Sequence, residues 1–244
     1  LKRLPTKTDG DAYAAAWMAG SVLMELKPGP LPILPKVLWA QIQEWILGWK
    51  YAGELREAEL PPPGALLLHG PTGTGKTSLA RAVLKYMEGF QGCILESHNV
   101  IASHLGETAG NLSKAFHLAE HHGAMLVIEE IDALGIDRRQ TGDGSASIER
   151  RNITIALMRI LEGAEVPVIA TTNCLDDLDP AIVRRFELQL EVPALDEKGR
   201  ALILKKILGC DAAPEMVALP LNVSIRQAHR VRRAAFLAEK EALA

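Results

Sequence analysis

Eight residues, Gly70-Pro71-Thr72-Gly73-Thr74-Gly75-Lys76-Thr77, carry the spacing G-x-x-x-x-G-K-T, which suits the cradling of a polyphosphate. Glycines let backbone N–H groups wrap an anion, and a helix beginning at the loop adds the favourable end of its dipole. Lys76 supplies a point charge, Thr77 offers a hydroxyl to magnesium, and Ser78 completes the candidate contacts. A second set of candidates is acidic. The apolar run 125–128 leads directly into Glu129 and Glu130, with Asp132 just beyond. Ligands of open α/β sheets bind at the carboxyl ends of strands. Adjacent strand residues face opposite sides, so one glutamate is expected to face magnesium and the other the attacking water.

Such a loop must join a strand to a helix. Ala65, Leu66, Leu67 and Leu68 supply the strand, and Leu79, Ala82, Val83 and Tyr86 recur at helical spacing on one face. Further strands are expected at 93–96, 124–129, 166–171 and 186–192, alternating with helices near 108–122 and 148–162. The latter turns Ile153, Ala156, Leu157, Ile160 and Leu161 inward and meets Gly163 as a stop. Alternation of this kind predicts an α/β fold, a P-loop NTPase parallel sheet sandwiched by helices.

Upstream, Leu38, Ile42, Trp45, Ile46 and Trp49 mark a helix over 36–59 that lies on the core, closed by Pro61-Pro62-Pro63-Gly64. Residues 1–35 are broken by Pro28, Gly29, Pro30, Pro32 and Pro35 and read as an N-terminal arm or linker. From residue 196 only helical runs remain, at 197–208 and 224–244, which predicts a small C-terminal helical lid domain after a large domain of 36–195. The chain opens at Leu1 and stops within a helical run, the pattern of a piece of something longer.

A formal net charge of −3 over 244 residues gives no global reason to expect nucleic acid or an anionic membrane as partner. Cys93, Cys174 and Cys210 are scattered, lack C-x-x-C spacing, and read as small core residues in a reducing cytosol. No apolar run reaches the roughly 18 residues that would span a bilayer, and no signal peptide opens the chain, so a cytoplasmic location is expected. His121-His122 lacks the zinc-protease pattern and no G-x-S-x-G elbow occurs, so no protease is encoded.

Three further motifs occur in order: Ile128-Glu129-Glu130-Ile131-Asp132-Ala133-Leu134, Ala170-Thr171-Thr172-Asn173, and Leu178-Asp179-Pro180-Ala181-Ile182-Val183-Arg184-Arg185-Phe186. Together with the phosphate loop they resemble the AAA ATPase family, from about Leu34 to the end. The resemblance implies ATP and Mg2+, held by Lys76 and Thr77, with Glu130 polarising the water and Asn173 positioning it. It also implies that Arg184 and Arg185 are arginine fingers acting on a neighbour's nucleotide, in a homo-oligomeric ring that is usually a hexamer. Their compact spacing resembles the branch containing spastin and katanin. One departure stands out: Glu129 occupies the magnesium position where the family usually has Asp, and it reaches roughly 1.3 Å further. Slower but real hydrolysis is expected.

Residues 102–108 align with the family's first pore loop, whose aromatic and aliphatic pair grips polypeptide. Here the pair is His104 and Leu105, a smaller and polar ring beside an aliphatic side chain. A second candidate pore loop covers 137–147, with Arg138, Arg139, Arg150 and Arg151 read as intersubunit ion-pair partners or contacts for an acidic partner. Ser224 is expected to open the last helix, placing Arg226 as a sensor of phosphate. The leading function is therefore a Mg-ATP-dependent ring motor that remodels, unfolds or disassembles protein substrates. The alternatives are a slow ATP-dependent switch or chaperone for one partner, and a DNA-associated loader, for which the pore segment around His104 lacks basic residues.

Overall fold

The computed structural model describes Met18 and residues 21–100, 107–134 and 145–241. Six strands form one sheet: β1 (Leu23–Glu25), β2 (Ala65–His69), β3 (Gly92–Glu96), β4 (Met125–Glu129), β5 (Val168–Thr172) and β6 (Phe186–Glu191). They run in the order β1-β3-β4-β5-β2-β6, parallel throughout except that β1 pairs antiparallel with β3. Strands covered on both faces need unbroken apolar runs, and β2 to β5 supply them. Alternate residues then feed two separate cores. Leu67, Leu95, Leu126, Ile128 and Ala170 face one cluster, which also holds Leu112 and Phe116 of the helix Glu107–His121 and Leu157 and Ile160 of Ser145–Gly163. Leu66, Leu68, Ile94, Val127 and Ile169 face the other, with Ile42 and Trp45 of the helix Lys36–Lys50 and Leu79 and Val83 of Lys76–Tyr86. Truncating any fully buried leucine here costs about 2 to 5 kcal/mol, because the sheet cannot collapse onto the cavity.

Several elements differ from expectation for identifiable reasons. The proline-punctuated segment 1–35 contributes an edge strand as well as loop: Leu23 and Leu26 are buried, and the Leu26 amide donates to the Gly92 carbonyl at 2.9 Å. Three residues are too few to show a period of two. The helix expected over 36–59 divides into Lys36–Lys50 and Ala52–Glu57, because Tyr51 leaves helical geometry at φ −106, ψ 23. Leu38, Ile42, Trp45, Ile46 and Trp49 are all buried, and the Trp45 indole N–H donates to the Gly64 carbonyl at 2.7 Å. Tyr86 does not share the buried face of Leu79, Ala82 and Val83; it lies exposed, edge-on to Trp39 at 5.0 Å. The helix expected at 148–162 starts earlier and includes Gly163 in its last turn.

The chain divides into two compact units. One contains the described residues up to Gly70 and from Gly75 to Val192; the other contains Pro71–Thr74 and the described chain from Pro193 onward. In the second unit the helices Glu197–Leu208, Pro214–Ala218 and Leu221–Glu241 gather around Leu204, Val217 and Ala228. Asp196 caps the first by accepting from the Gly199 amide at 2.8 Å. The last helix begins at Leu221 rather than Ser224, since the Pro220 carbonyl already accepts from the Val223 and Ser224 amides. Ser224 is fully buried, and its hydroxyl donates to the Met216 carbonyl at 2.7 Å. Among the described residues, no helix is long and apolar enough to cross a membrane.

Candidate nucleotide-binding site

The sheet order puts β2 between β5 and β6, while the chain leaves β2 for β3 on the far side of β5 and β4. Crossovers that diverge in this way open a crevice at the carboxyl ends of the strands. Gly70 follows β2 there with φ +138, beside the Val192 backbone, whose amide donates to the His69 carbonyl at 2.7 Å. A Cβ on Gly70 would stand 2.5 Å from the Val192 carbonyl oxygen, so only glycine fits. Gly75, left-handed at φ 93, turns the chain into the helix Lys76–Tyr86, and its carbonyl accepts the Leu79 amide at 2.8 Å.

Lys76 is buried, and its ammonium donates to the Gly70 carbonyl at 2.7 Å, joining the two ends of the loop. Burial pushes Lys76 below the usual lysine range, while Asp132 and then Glu130 pull it back. The acids of the β4 end therefore act electrically on the lysine of the loop. Pro71, Thr72, Gly73 and Ser78 are exposed; Thr74 is buried, and its hydroxyl has no hydrogen-bond partner among the described residues.

Thr77 donates its hydroxyl to the Glu129 carboxylate. Two oxygen ligands expected for magnesium thus meet, and nearby in sequence Asp132 Oδ1 is buried without a hydrogen-bond partner among the described residues. Among the described residues, no group of three or more His, Cys, Asp or Glu could hold a metal alone. Magnesium suits this arrangement, because it takes one or two protein oxygens and completes its shell with water and phosphate. The donors present fit that ion.

The step from Glu129 to Glu130 does not continue the strand pleat. β4 ends at Glu129, and Glu130 is a non-glycine residue in the left-handed region, φ 52 and ψ 51. Such a backbone costs about 1 to 3 kcal/mol and persists only where its surroundings hold it. The Glu130 side chain is exposed, and Asn173 lies half-buried one residue beyond β5. The turn bearing Asn173 is tied by Thr172, whose hydroxyl oxygen accepts from the Cys174 amide and donates to the Cys174 carbonyl, both at 3.1 Å.

Arg184 and Arg185 are both exposed, in the turn between the short helix Pro180–Val183 and β6. Arg185 pairs with Glu162, whereas Arg184 has no ion-pair partner among the described residues. Arg226 is exposed on the helix Leu221–Glu241 of the second unit. His104, Leu105, Arg138 and Arg139 lie outside the described residues, while Arg150 and Arg151 fall in the helix Ser145–Gly163. Of the cysteines, only Cys93 is the core residue expected; Cys174 and Cys210 are exposed. Two buried hydroxyls flank the Glu129–Glu130 peptide without having been read as site residues: Ser97, which no sequence motif marked, and Thr171, which stood in the Ala170–Asn173 motif without a role of its own.

A glycine-rich loop between strand and helix, at the switch point of a mostly parallel sheet and beside paired acids, defines a nucleotide-binding α/β domain. A family model described as the ATPase family associated with various cellular activities (AAA) matches residues 66–194, more than half of the sequence. The chain belongs to that family. It is similar to the 26S proteasome regulatory subunit 8 homolog of Schizosaccharomyces pombe, 33% identical over 153 residues that cover 60% of this chain and 38% of that protein. It is also similar to 26S proteasome regulatory subunit 8 of Caenorhabditis elegans, 38% identical over 153 residues, covering 59% and 36%. The match thus spans less than two fifths of the length of either curated relative.

Proposed function

We propose that this chain is the Mg-ATP-hydrolysing domain of a ring-forming motor that remodels protein substrates. The contact between Thr77 and Glu129 carries the reading, because it brings the phosphate loop and the acidic strand end to one point. Lys76 and the backbone of Gly70 to Thr77 hold the phosphates, and Thr77 with Glu129 holds the metal. Magnesium held there would supply positive charge to offset the negative charge that develops on the phosphate in the transition state. Glu130 accepts a proton from the attacking water, and Asn173 orients that water. Arg184, exposed and without an ion-pair partner among the described residues, reaches into the site of a neighbouring protomer in a homo-oligomer, probed below.

The similarity to proteasome regulatory subunits supports a protein substrate over nucleic acid. Affiliation with the spastin and katanin branch rests on the adjacency of Arg184 and Arg185, and neither relative reported above belongs to that branch by name. A slow assembly switch is the second reading, favoured by Glu129, whose longer side chain reaches the Thr77 hydroxyl directly. Turnover per subunit separates the two.

The test is Glu130→Gln. It should bind ATP as tightly as the wild type yet lose at least about a hundredfold in turnover, the usual contribution of a positioned base. Hydrolysis at the wild-type rate would overturn the assignment.

A further inference from the structure

The peptide unit joining Glu129 to Glu130 is gripped at both ends by buried hydroxyls. Its carbonyl accepts a hydrogen bond from Ser97 Oγ at 2.5 Å, and its N–H donates to Thr171 Oγ1 at 3.3 Å. Ser97 and Thr171 are 2% and 3% exposed, so water does not compete for either bond. They come from opposite sides of β4. Ser97 stands just beyond β3, whose paired register with β4 ends at Glu96 opposite Glu129. Thr171 belongs to β5, whose register with β4 ends at Ala170 opposite Ile128. Where the backbone ladders stop, two side chains take over their role and fix the plane of the next peptide. Immediately after that plane the backbone enters the left-handed conformation of Glu130.

We propose that Ser97 and Thr171 are positioning residues that lock the Glu129–Glu130 peptide and so hold Glu130 in the left-handed geometry that aims its carboxylate at the attacking water. This rests on the reading of Glu130 as the base. An unlocked peptide can rotate, relax the φ of Glu130, and swing the carboxylate away while leaving the phosphate loop intact. Misplacement by about 1 Å is enough to lower a rate on the order of a hundredfold.

The experiment uses Ser97→Ala, Thr171→Val, the hydroxyl-retaining Ser97→Thr and Thr171→Ser, and Glu130→Gln, each in the whole chain. Steady-state ATPase should show kcat down between about tenfold and a hundredfold in Ser97→Ala and Thr171→Val. Their KM for ATP should stay within about twofold of the wild type, and the hydroxyl-retaining variants should recover most of kcat. Without nucleotide, amide hydrogen exchange at Glu130 should accelerate in Thr171→Val and return toward wild-type protection in Thr171→Ser. Unchanged exchange in Thr171→Val overturns the proposal whatever the kinetics. So does a kcat within twofold of wild type in both truncations while Glu130→Gln is inactive, an outcome that leaves the reading of the site standing. If Glu130→Gln hydrolyses ATP like the wild type, the reading of the site falls and the positioning role falls with it.

Discussion

Arg185 is tied to Glu162 across the protein surface, from the turn before β6 to the end of the helix Ser145–Gly163. Both side chains are substantially exposed, at 38% and 53%, so the pair contributes at most about 1 kcal/mol to stability. The pair occupies one of two adjacent arginines, while Arg184 is exposed and has no ion-pair partner among the described residues. Arg184→Ala should lower turnover of the assembled protein by about a thousandfold, the lower range for an arginine finger, and Arg185→Ala by much less. ATPase rates measured above the concentration at which the protein assembles decide this; equal losses in both variants would sink the distinction.

Gly70→Ala should damage the protein twice over. The new Cβ would collide with the Val192 carbonyl at a φ that side chains avoid, so the melting temperature should fall, by roughly 4 °C or more for each 1 kcal/mol lost in a domain of about 100 residues and by less in a larger one. Nucleotide affinity should fall as well, since the Gly70 carbonyl is the partner of Lys76. Calorimetry and nucleotide titration would reveal both losses, and an unchanged melting temperature would show that the loop yields without cost.

Glu129→Asp withdraws the carboxylate by one methylene from the Thr77 hydroxyl that it now meets. Room for a water between carboxylate and metal should lower the magnesium concentration for half-maximal hydrolysis and raise turnover. Titration of ATPase activity with magnesium measures both. Identical curves for the two proteins would mean that the longer side chain is accommodated without consequence.

The three thiols should separate by reactivity. Burial pushes the Cys93 thiol up to about 12 and shields it, so it should alkylate only after unfolding. Cys174 is exposed, yet its hydrogen bond to Asp177 raises its pKa, leaving less thiolate near pH 7.5. Iodoacetamide should therefore modify it more slowly than a model thiol, and Asp177→Asn should speed the reaction. Mass spectrometry of timed quenches reads each site, and native labelling of Cys93 would contradict its burial.

The apolar runs of β2 to β5 declared themselves because a strand covered on both faces cannot hide its composition, and the phosphate loop did so because few chemistries need that spacing. What stayed hidden depends on neighbours across the sheet. Nothing in the order of residues says that Ser97 and Thr171 will meet the same peptide, since that follows from the register of three strands. Glu130 carries no sign of a left-handed backbone, a conformation usually advertised by glycine or asparagine. Ser224 has the composition of a helix cap and is buried a turn inside instead, because Pro220 already supplies the first acceptor. Residues 101–106 and 135–144 lie outside the described structure, so the gripping role expected of His104 and Leu105 belongs to a translocation assay.

The three-residue strand Leu23–Glu25 has a consequence for how this protein can be cut and expressed. Its pairing with Cys93, Ile94 and Leu95 covers the flank of β3, and Pro28 and Pro30 follow before another strand could extend the sheet. A fragment starting at Lys36 would keep every nucleotide-binding residue and still present a row of bare amides and carbonyls to any passing chain. Self-association of such a fragment, absent when residues 21–35 are restored, would identify this short strand as the guard that keeps the enzyme's sheet from recruiting strangers.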